Sequence, residues 1–360
     1  MSALHASYKL ELSPLRSSIK KSGFVRWRYV FNAQNRDTGE KASFFIELYI
    51  INPSLSPDEV VWSDLHAIPE FKDESQLFLP QEEPSLHSYV SLRVGRYGFG
   101  GEVVQKFLPS SSFTLNSKSM DIAEGIFHLE GEELSGNMRE DGKNASWRLK
   151  VERLCHFFPG RMQKDMYWGS PAIRALFSGE MRFCSETYEV VPGSSFGFVD
   201  KLWGKEYPYP FFHLSCTHLS SIITGKPLVN ASFAVQGIYN NSFALYSEIG
   251  DIKLARPRVK NNPNFGCVAM DNKLHWTVSV PYRQYLLDID VFCDSRDMMV
   301  RSYICPSNAK SELQVLGGSS GTGEIRLYRR IKKRNLELIE HASLHDVRCE
   351  YGGQDQAEEE

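Results

Sequence analysis

Apolar and polar residues alternate along most of this chain. In "GFVRWRYVFNAQ", Phe24, Arg26, Arg28 and Val30 alternate with Val25, Trp27, Tyr29 and Phe31. A period of two sends neighbouring side chains to opposite faces of a strand. "ASFFIELYIIN" repeats the rhythm after "NRDTGEK", whose Asp37 and Gly39 supply turn chemistry, so the pair predicts a β-hairpin. "SYVSLRVGRY" and "GGEVVQKFL" predict two more strands around Gly98, Gly100 and Gly101. "SFTLN", "GIFHLEGEELSGNMRE" and "ASWRLKVERLCHFF" continue the series, broken by "GE", "SGN" and "EDGKN" turn signals. From about residue 173 a second series runs from "SGEMRFCSETYEVV" through "FFHLSCTHLSS" to "GEIRLYRRIKKR" and "DVRCEYGG". Two segments predict short helices. One is "SPDEVVWSDL", with Ser56 as N-cap and Glu59 three residues on; the other is "GSPAIRALFSGEM".

This pattern predicts an all-β chain of barrels or sandwiches with a few short helices. At 360 residues it divides into two β domains, 1–172 and 173–353. The first includes the joining segment "PGRMQKDMYWGSPAIRALF", and no low-complexity linker separates the two. The polar tail 354–360, with three closing glutamates, reads as disordered.

Composition narrows the function. Hydrophobic residues make up 42% and aromatic residues 12%, enough for a sizeable core rich in rings. With 41 basic against 44 acidic residues, no global field draws in nucleic acid. Apolar runs such as "SFFIELYII" are strand-length, well short of the roughly 20 residues of a membrane helix. The start has no apolar h-region, and the seven cysteines are scattered without a CxxC pair. Both features predict reduced thiols and a cytoplasmic protein.

Several chemistries can be weighed on these residues. His341 and His345 lie four apart, but no HExxH surrounds them, and His213 and His218, five apart on one strand, face opposite ways. Converging metal ligands are not in view, so no metal is expected. "GGSSG", Gly317 to Gly321, matches G-x-S-x-G, yet "TGEIRLYRRIKK" after it alternates like a strand, so a Gly/Ser-rich hairpin loop is expected rather than a nucleophile elbow. No Walker lysine or GxGxxG is present, and no cofactor is expected. "RRIKKR", Arg329 to Arg334, is either a solvated strand end or a peripheral contact with an anionic membrane. Asp200 stands among rings: Phe196, Phe198, Trp203, Tyr207 and Tyr209. A carboxyl in an apolar cavity keeps its proton and can protonate an alkene or enol, while aromatic faces steady the resulting cation. The plainer alternative is a turn anchor near Gly204.

The stretch around Asp200 resembles the tocopherol cyclase family, relatives of the lipocalin-like carotenoid 1,2-hydratases and fungal decalin-forming cyclases. Asp200-Lys201-Leu202-Trp203-Gly204, then Tyr207-Pro208, is similar to that family's acid-Lys-x-Trp-Gly element and the aromatic-Pro after it. Phe24-Val25-Arg26-Trp27-Arg28-Tyr29 looks like its Phe-Glu-Gly-Trp-Tyr-Phe element, with Val25 where the family has Glu. "DMYWGSPAIRALF" looks like its interdomain segment, and the last two strands are similar to "GEIRLYRR" and "HDVRCEYGG". Ser215 and Thr217 stand where the family has a Gln-x-Asn pair. The resemblance implies two consecutive lipocalin-like domains and a cavity for a lipophilic, unsaturated, prenyl- or isoprenoid-type molecule. It also implies cofactor-free cyclisation, hydration or isomerisation, with substrate unspecified; a non-catalytic carrier of the same ligand is the alternative. The expected catalytic residues are Asp200 as acid and His218 as relay. The expected ligand-lining residues are Trp27, Tyr29, Trp203, Tyr209, His213, Ser215 and Thr217, with at most one of the two histidines facing inward.

Overall fold

The computed structural model describes residues 3–13, 22–53, 88–98, 100–163, 166–207, 209–239, 241–332 and 335–354. The chain is all-β, with two antiparallel sheets. The first contains β1 (Phe24–Asn35), β2 (Lys41–Ile51), β3 (Tyr89–Arg96), β4 (Val103–Pro109), β5 (Phe113–Leu115), β6 (Ser119–Ile122), β7 (Phe127–Glu130), β8 (Glu133–Glu140), β9 (Lys143–Gln163), β10 (Met166–Phe183), β11 (Glu186–Val190) and β12 (Gly197–Gly204). Its order is β4-β3-β2-β1-β11-β10-β9-β8-β7-β6-β5, and β12 fits between β1 and β10. The second contains β13 (Phe211–Cys216), β14 (His218–Ser221), β15 (Ser232–Ile238), β16 (Ser242–Ile249), β17 (Ile252–Lys260), β18 (Phe265–Met270), β19 (Lys273–Tyr282), β20 (Tyr285–Asp294), β21 (Met299–Cys305), β22 (Asn308–Lys332) and β23 (Asn335–Gln354). It runs β17-β16-β15-β13-β23-β22-β20-β19-β18, with β14 on β23 and β21 on β22. Among the described residues two α-helices, α1 (Ala3–Glu11) and the four-residue α2 (Asn261–Asn264), accompany the sheets. Among the described residues no helix is long and apolar enough to cross a membrane.

Each sheet curls around its own core. Trp27, Tyr29, Phe31, Phe127 and Trp147 fill the first; Phe212, Phe233, Trp276 and Leu327 fill the second. Side-chain bonds tie one edge strand of each sheet to a strand near its far edge. Lys106 on β4 meets Glu140 on β8 at 2.9 Å, and Arg256 on β17 donates to the Pro281 carbonyl on β19 at 3.0 Å. A third apolar cluster lies between the sheets and draws on both, with Phe24, Tyr49, Trp168 and Phe198 from one and Phe211 and Tyr303 from the other.

The seam between the sheets explains a feature of β1. Its first ten residues are buried on both faces. Val25, Trp27, Tyr29 and Phe31 enter the first core, while Phe24, Arg26, Arg28 and Val30 face away from it. The polar side of the alternation therefore faces the second sheet and not water.

The predicted hairpin forms, with β1 on β2 in continuous register, and the two strands expected around the glycines pair as β3 on β4. Three expectations need correction. "GSPAIRALFSGEM" is not helical but belongs to β10, bonded to β9 on one flank and to β11 and β12 on the other. The division at 172/173 therefore falls inside a strand of the first sheet, and the change of sheet lies between Gly204 and Phe211. "GGSSG" is no loop either. It lies within the 25-residue strand β22, whose register shifts at Gly318, Gly321 and Gly323 bend it. Gln354 ends β23; residues 355–360 and the "SPDEVVWSDL" segment lie outside the described residues.

Candidate functional site

The strand registers bring a band of charge into the seam. Arg28 on β1 pairs across the sheet with Asp200 on β12 and with Glu47 on β2, and Glu47 pairs with Arg93 on β3. On the facing sheet, His213 on β13 pairs with Gln236 on β15 and with Glu350 on β23, and Ser215 pairs with Arg348. Cross-strand partners share a face, so each sheet presents a polar row to the other.

The rows interlock as an alternating chain of ions. Arg93 lies 3.6 Å from Glu47, and Arg301 donates to Glu47 at 3.1 Å. Arg301 also bonds Glu350, which in turn bonds Arg28. Arg28 meets Asp200 through Nε at 3.1 Å and Nη2 at 3.2 Å, and Arg26 reaches the same carboxylate at 3.1 Å. The Tyr303 hydroxyl donates to Glu47 at 2.7 Å, the Trp168 indole to Asp200 at 3.2 Å, and Arg26 bonds the Tyr207 hydroxyl. All of these groups are buried. Gly317, within the "GGSSG" run, has a specific role here. A Cβ on it would sit 2.8 Å from Arg301 Nη2, so any other residue would push the Arg301 head group away from its place beside Glu350.

Asp200 is therefore not the protonated acid that its ring-rich sequence context suggests. Burial alone would raise its carboxyl, but Arg28 and Arg26 outweigh that effect and hold it below the ordinary value. It is an ionised carboxylate, bonded to two guanidinium groups and an indole, with no proton to give. Glu350 is likewise held well below its usual range against burial by Arg28 and Arg301.

His213 is fully buried beside this band. Its Nδ1 lies 2.9 Å from Gln236 Oε1 and its Nε2 3.0 Å from Ser215 Oγ. Serine, histidine and amide thus stand in the order of a nucleophile, base and orienter. Burial first, and then Arg28, push the imidazole down to about 3. So weak a base cannot activate a hydroxyl near neutrality. The trio is better described as a fixed, neutral hydrogen-bonding face.

Arg348 is left with little to bind. One of its nitrogens donates to the Phe196 carbonyl, while Nε and Nη1 have no partner. The residue is 3% exposed, and burial lowers its guanidinium to about 10. Asp346, a carboxylate that acts on it, is bonded to His218 at 2.6 Å. Gln236 Nε2 and Thr217 Oγ1 on the same sheet are also buried without partners. Five buried arginines of the seam (26, 28, 93, 301 and 348) thus share three carboxylates: Glu47, Asp200 and Glu350. An unpartnered buried donor costs about 1–3 kcal/mol, and more when charged.

The other expected residues separate from Asp200. Trp27 and Tyr29 lie on the opposite face of β1 and bond α1. The Trp27 indole donates to the Glu11 carbonyl at 2.9 Å, and the Tyr29 hydroxyl to the Glu11 carboxylate at 2.7 Å. Arg153 holds that carboxylate with two bonds of 2.6 and 3.0 Å. Lys201 points the same way, between the Trp27 and Trp203 rings, and donates to Ser13 Oγ and the Ser13 carbonyl at 2.9 and 3.0 Å. The first barrel's aromatic wall is thus occupied by the chain's own N-terminal helix. Trp203 stacks on Tyr167 and Phe158 on that side. Tyr209 is 54% exposed. His218 stacks on Phe196, faces His345 across the strands and bonds Asp346, none of which contacts Asp200. No group of three or more potential metal ligands occurs among the described residues.

No family model matches this chain, and no curated protein sequence matches it. Solved structures match over most of its length. Kievitone hydratase from Nectria haematococca shares 10% identity at a TM-score of 0.44, covering 98% of this chain and 93% of that one. CghA, solved with Sch210972, shares 12% at 0.41, covering 92% and 89%. A Nitrosomonas europaea protein proposed to be AttH shares 10% at 0.44, covering 89% and 92%. At this level no residue, substrate or activity transfers to the present chain.

Of the polar residues placed in or beside the seam, Asp200, His213, Ser215 and Thr217 stand among the sequence expectations, whereas Arg26, Arg28, Glu47, Arg301, Arg348 and Glu350 do not. One signal was available. Arg26 and Arg28 sit in a strand whose other face is wholly aromatic or aliphatic, beside a motif carrying an acid.

Proposed function

We propose that this chain binds a lipophilic, unsaturated small molecule in the seam between its sheets, with an anionic or enolised carbonyl head group facing Arg348 and the His213–Ser215–Gln236 trio. The observation that carries this reading is Arg348, a buried guanidinium with two unpartnered nitrogens among the rings of the seam. A carboxylate or enolate oxygen supplies the missing acceptor and the missing charge. The surrounding Phe157, Trp168, Phe198 and Tyr246 suit an apolar body.

The same charges select among the reactions open to such a ligand. A carbocation is repelled by a surplus of arginines, whereas charge gathering on a carbonyl oxygen is stabilised by them. Cofactor-free cyclisation at this site therefore starts from a head group that enters already ionised, its proton left to water outside, with Asp200 orienting Arg26 and Arg28 and neither giving nor taking a proton. A non-catalytic carrier is the second reading, favoured by the lack of a proton on Asp200 and the weak basicity of His213.

cis-Parinaric acid, a fluorescent polyene acid, tests the head-group assignment against its methyl ester. The acid is expected to bind at least about tenfold more tightly than the ester, and Arg348→Met should remove that preference. Equal binding of acid and ester to the wild-type chain would refute the reading.

A further inference from the structure

The basic run at the end of β22 is not used by the seam. It lies on the β22–β23 hairpin, where Arg330 pairs with Leu336 and Arg329 with Glu337. Arg329 and Arg330 are exposed. So are three aliphatic residues of the same hairpin: Ile331 at 60%, Leu336 at 46% and Leu338 at 43%. Ile222 and Ile223, at 49% and 56%, follow β14 and are tied to β23 by the bond from the Ile222 amide to the His341 carbonyl. Exposed Arg283 is adjacent, because the Arg330 amide bonds the Gln284 carbonyl. Opposing charge on the hairpin comes from Glu337 and Glu340, the latter accepting from Ser221 and the His341 amide.

We propose that this hairpin docks on a lipid surface bearing anionic head groups. Five exposed aliphatic side chains at one end of a barrel are more than scattered surface apolarity requires. Their neighbours are arginines, in a chain whose net charge is −3, so the end of the barrel is locally cationic against an acidic whole. Aliphatic tips that enter the interface, flanked by arginines that meet phosphate and carboxylate groups, suit a bilayer surface. The hairpin is remote in sequence from Arg26, Asp200 and His213 and shares no bond with them. Docking is thus independent of what the seam binds.

Co-sedimentation of the full chain with phosphatidylcholine vesicles, with and without phosphatidylserine, decides it. Binding is expected only with phosphatidylserine and should weaken as salt rises. Arg329→Glu with Arg330→Glu should reduce partitioning about tenfold or more, and so should Ile331→Ser with Leu336→Ser. Arg148→Glu, an exposed charge reversal on β9, should leave it unchanged. Both hairpin variants lie on solvent-facing positions, and unchanged circular dichroism and Tm confirm their fold. Equal binding to both vesicle types, or hairpin variants that bind like wild type, overturns the proposal. A hairpin variant that instead changes the sedimentation coefficient of the lipid-free protein overturns it in favour of a contact between two copies.

Discussion

Asp200 shows how far one residue's meaning depends on partners that sequence does not display. Its neighbours in the chain are aromatic and predict a desolvated, protonated acid. Its neighbours across the sheet are Arg28 and Arg26, which make it an anion. The alternation was legible, and it separated Asp200 from Lys201 as the structure does. The register that sets Arg28 opposite Asp200 was not, because a period of two is satisfied by many pairings. Asp200→Asn takes the carboxylate from Arg26 and one of two carboxylates from Arg28, both buried, and a loss of about 3–5 kcal/mol is expected by chemical denaturation. The sign with pH follows from the lowered carboxyl. Between the ordinary value of 3.8 and the lower folded value, the unfolded chain holds a proton that the native one does not. Stability from this group is therefore full above 3.8 and is lost as pH falls through the folded value. Asp200→Asn should remove that part of the acid sensitivity. A variant as stable as wild type at pH 7 would show that the carboxylate is not the hub described.

The helix α1 and strand β12 illustrate the same gap for whole elements. Most strands could be placed from alternation and turns, and the predicted hairpin of β1 and β2 formed. "GSPAIRALF" misled because small residues flanked by apolar ones read equally well as a helix, and its assignment to β10 comes from strands far away in sequence. The burial of α1's C-terminal end in the first barrel left no local trace. That contact includes Lys201, whose amine donates to the Glu11 carbonyl at the helix end and to the Ser13 carbonyl just beyond it. Burial lowers its ammonium to about 7, and Glu11 only partly offsets this. Between pH 7 and the unfolded value of 10.5, the unfolded chain binds the extra proton, so stability from this group rises with pH. Thermal melts of wild type and Lys201→Met should diverge between pH 7 and about 9, the wild type gaining stability relative to the variant. Parallel curves would place Lys201's charge outside the folding equilibrium.

At the scale of the molecule, two curled sheets meet through a polar chain set in an aromatic layer. The all-β class was legible from the long series of alternating strands. The seam was not, since its residues come from β1, β2, β3, β12, β13, β21 and β23 and join only after both sheets have formed. A seam whose charges all cancelled would need nothing more than its own residues. This one leaves two nitrogens of Arg348 without a partner, and Asp346, the carboxylate that acts on it, is already bonded to His218. In the ligand-free protein, replacing an uncompensated buried charge with an apolar side chain of similar length stabilises. The most direct test is the Tm of wild type and Arg348→Met, each with and without cis-parinaric acid. The account predicts a higher ligand-free Tm for the variant and a ligand-induced rise confined to the wild type. A variant that melts lower than wild type and still gains the same rise from the acid would contradict it.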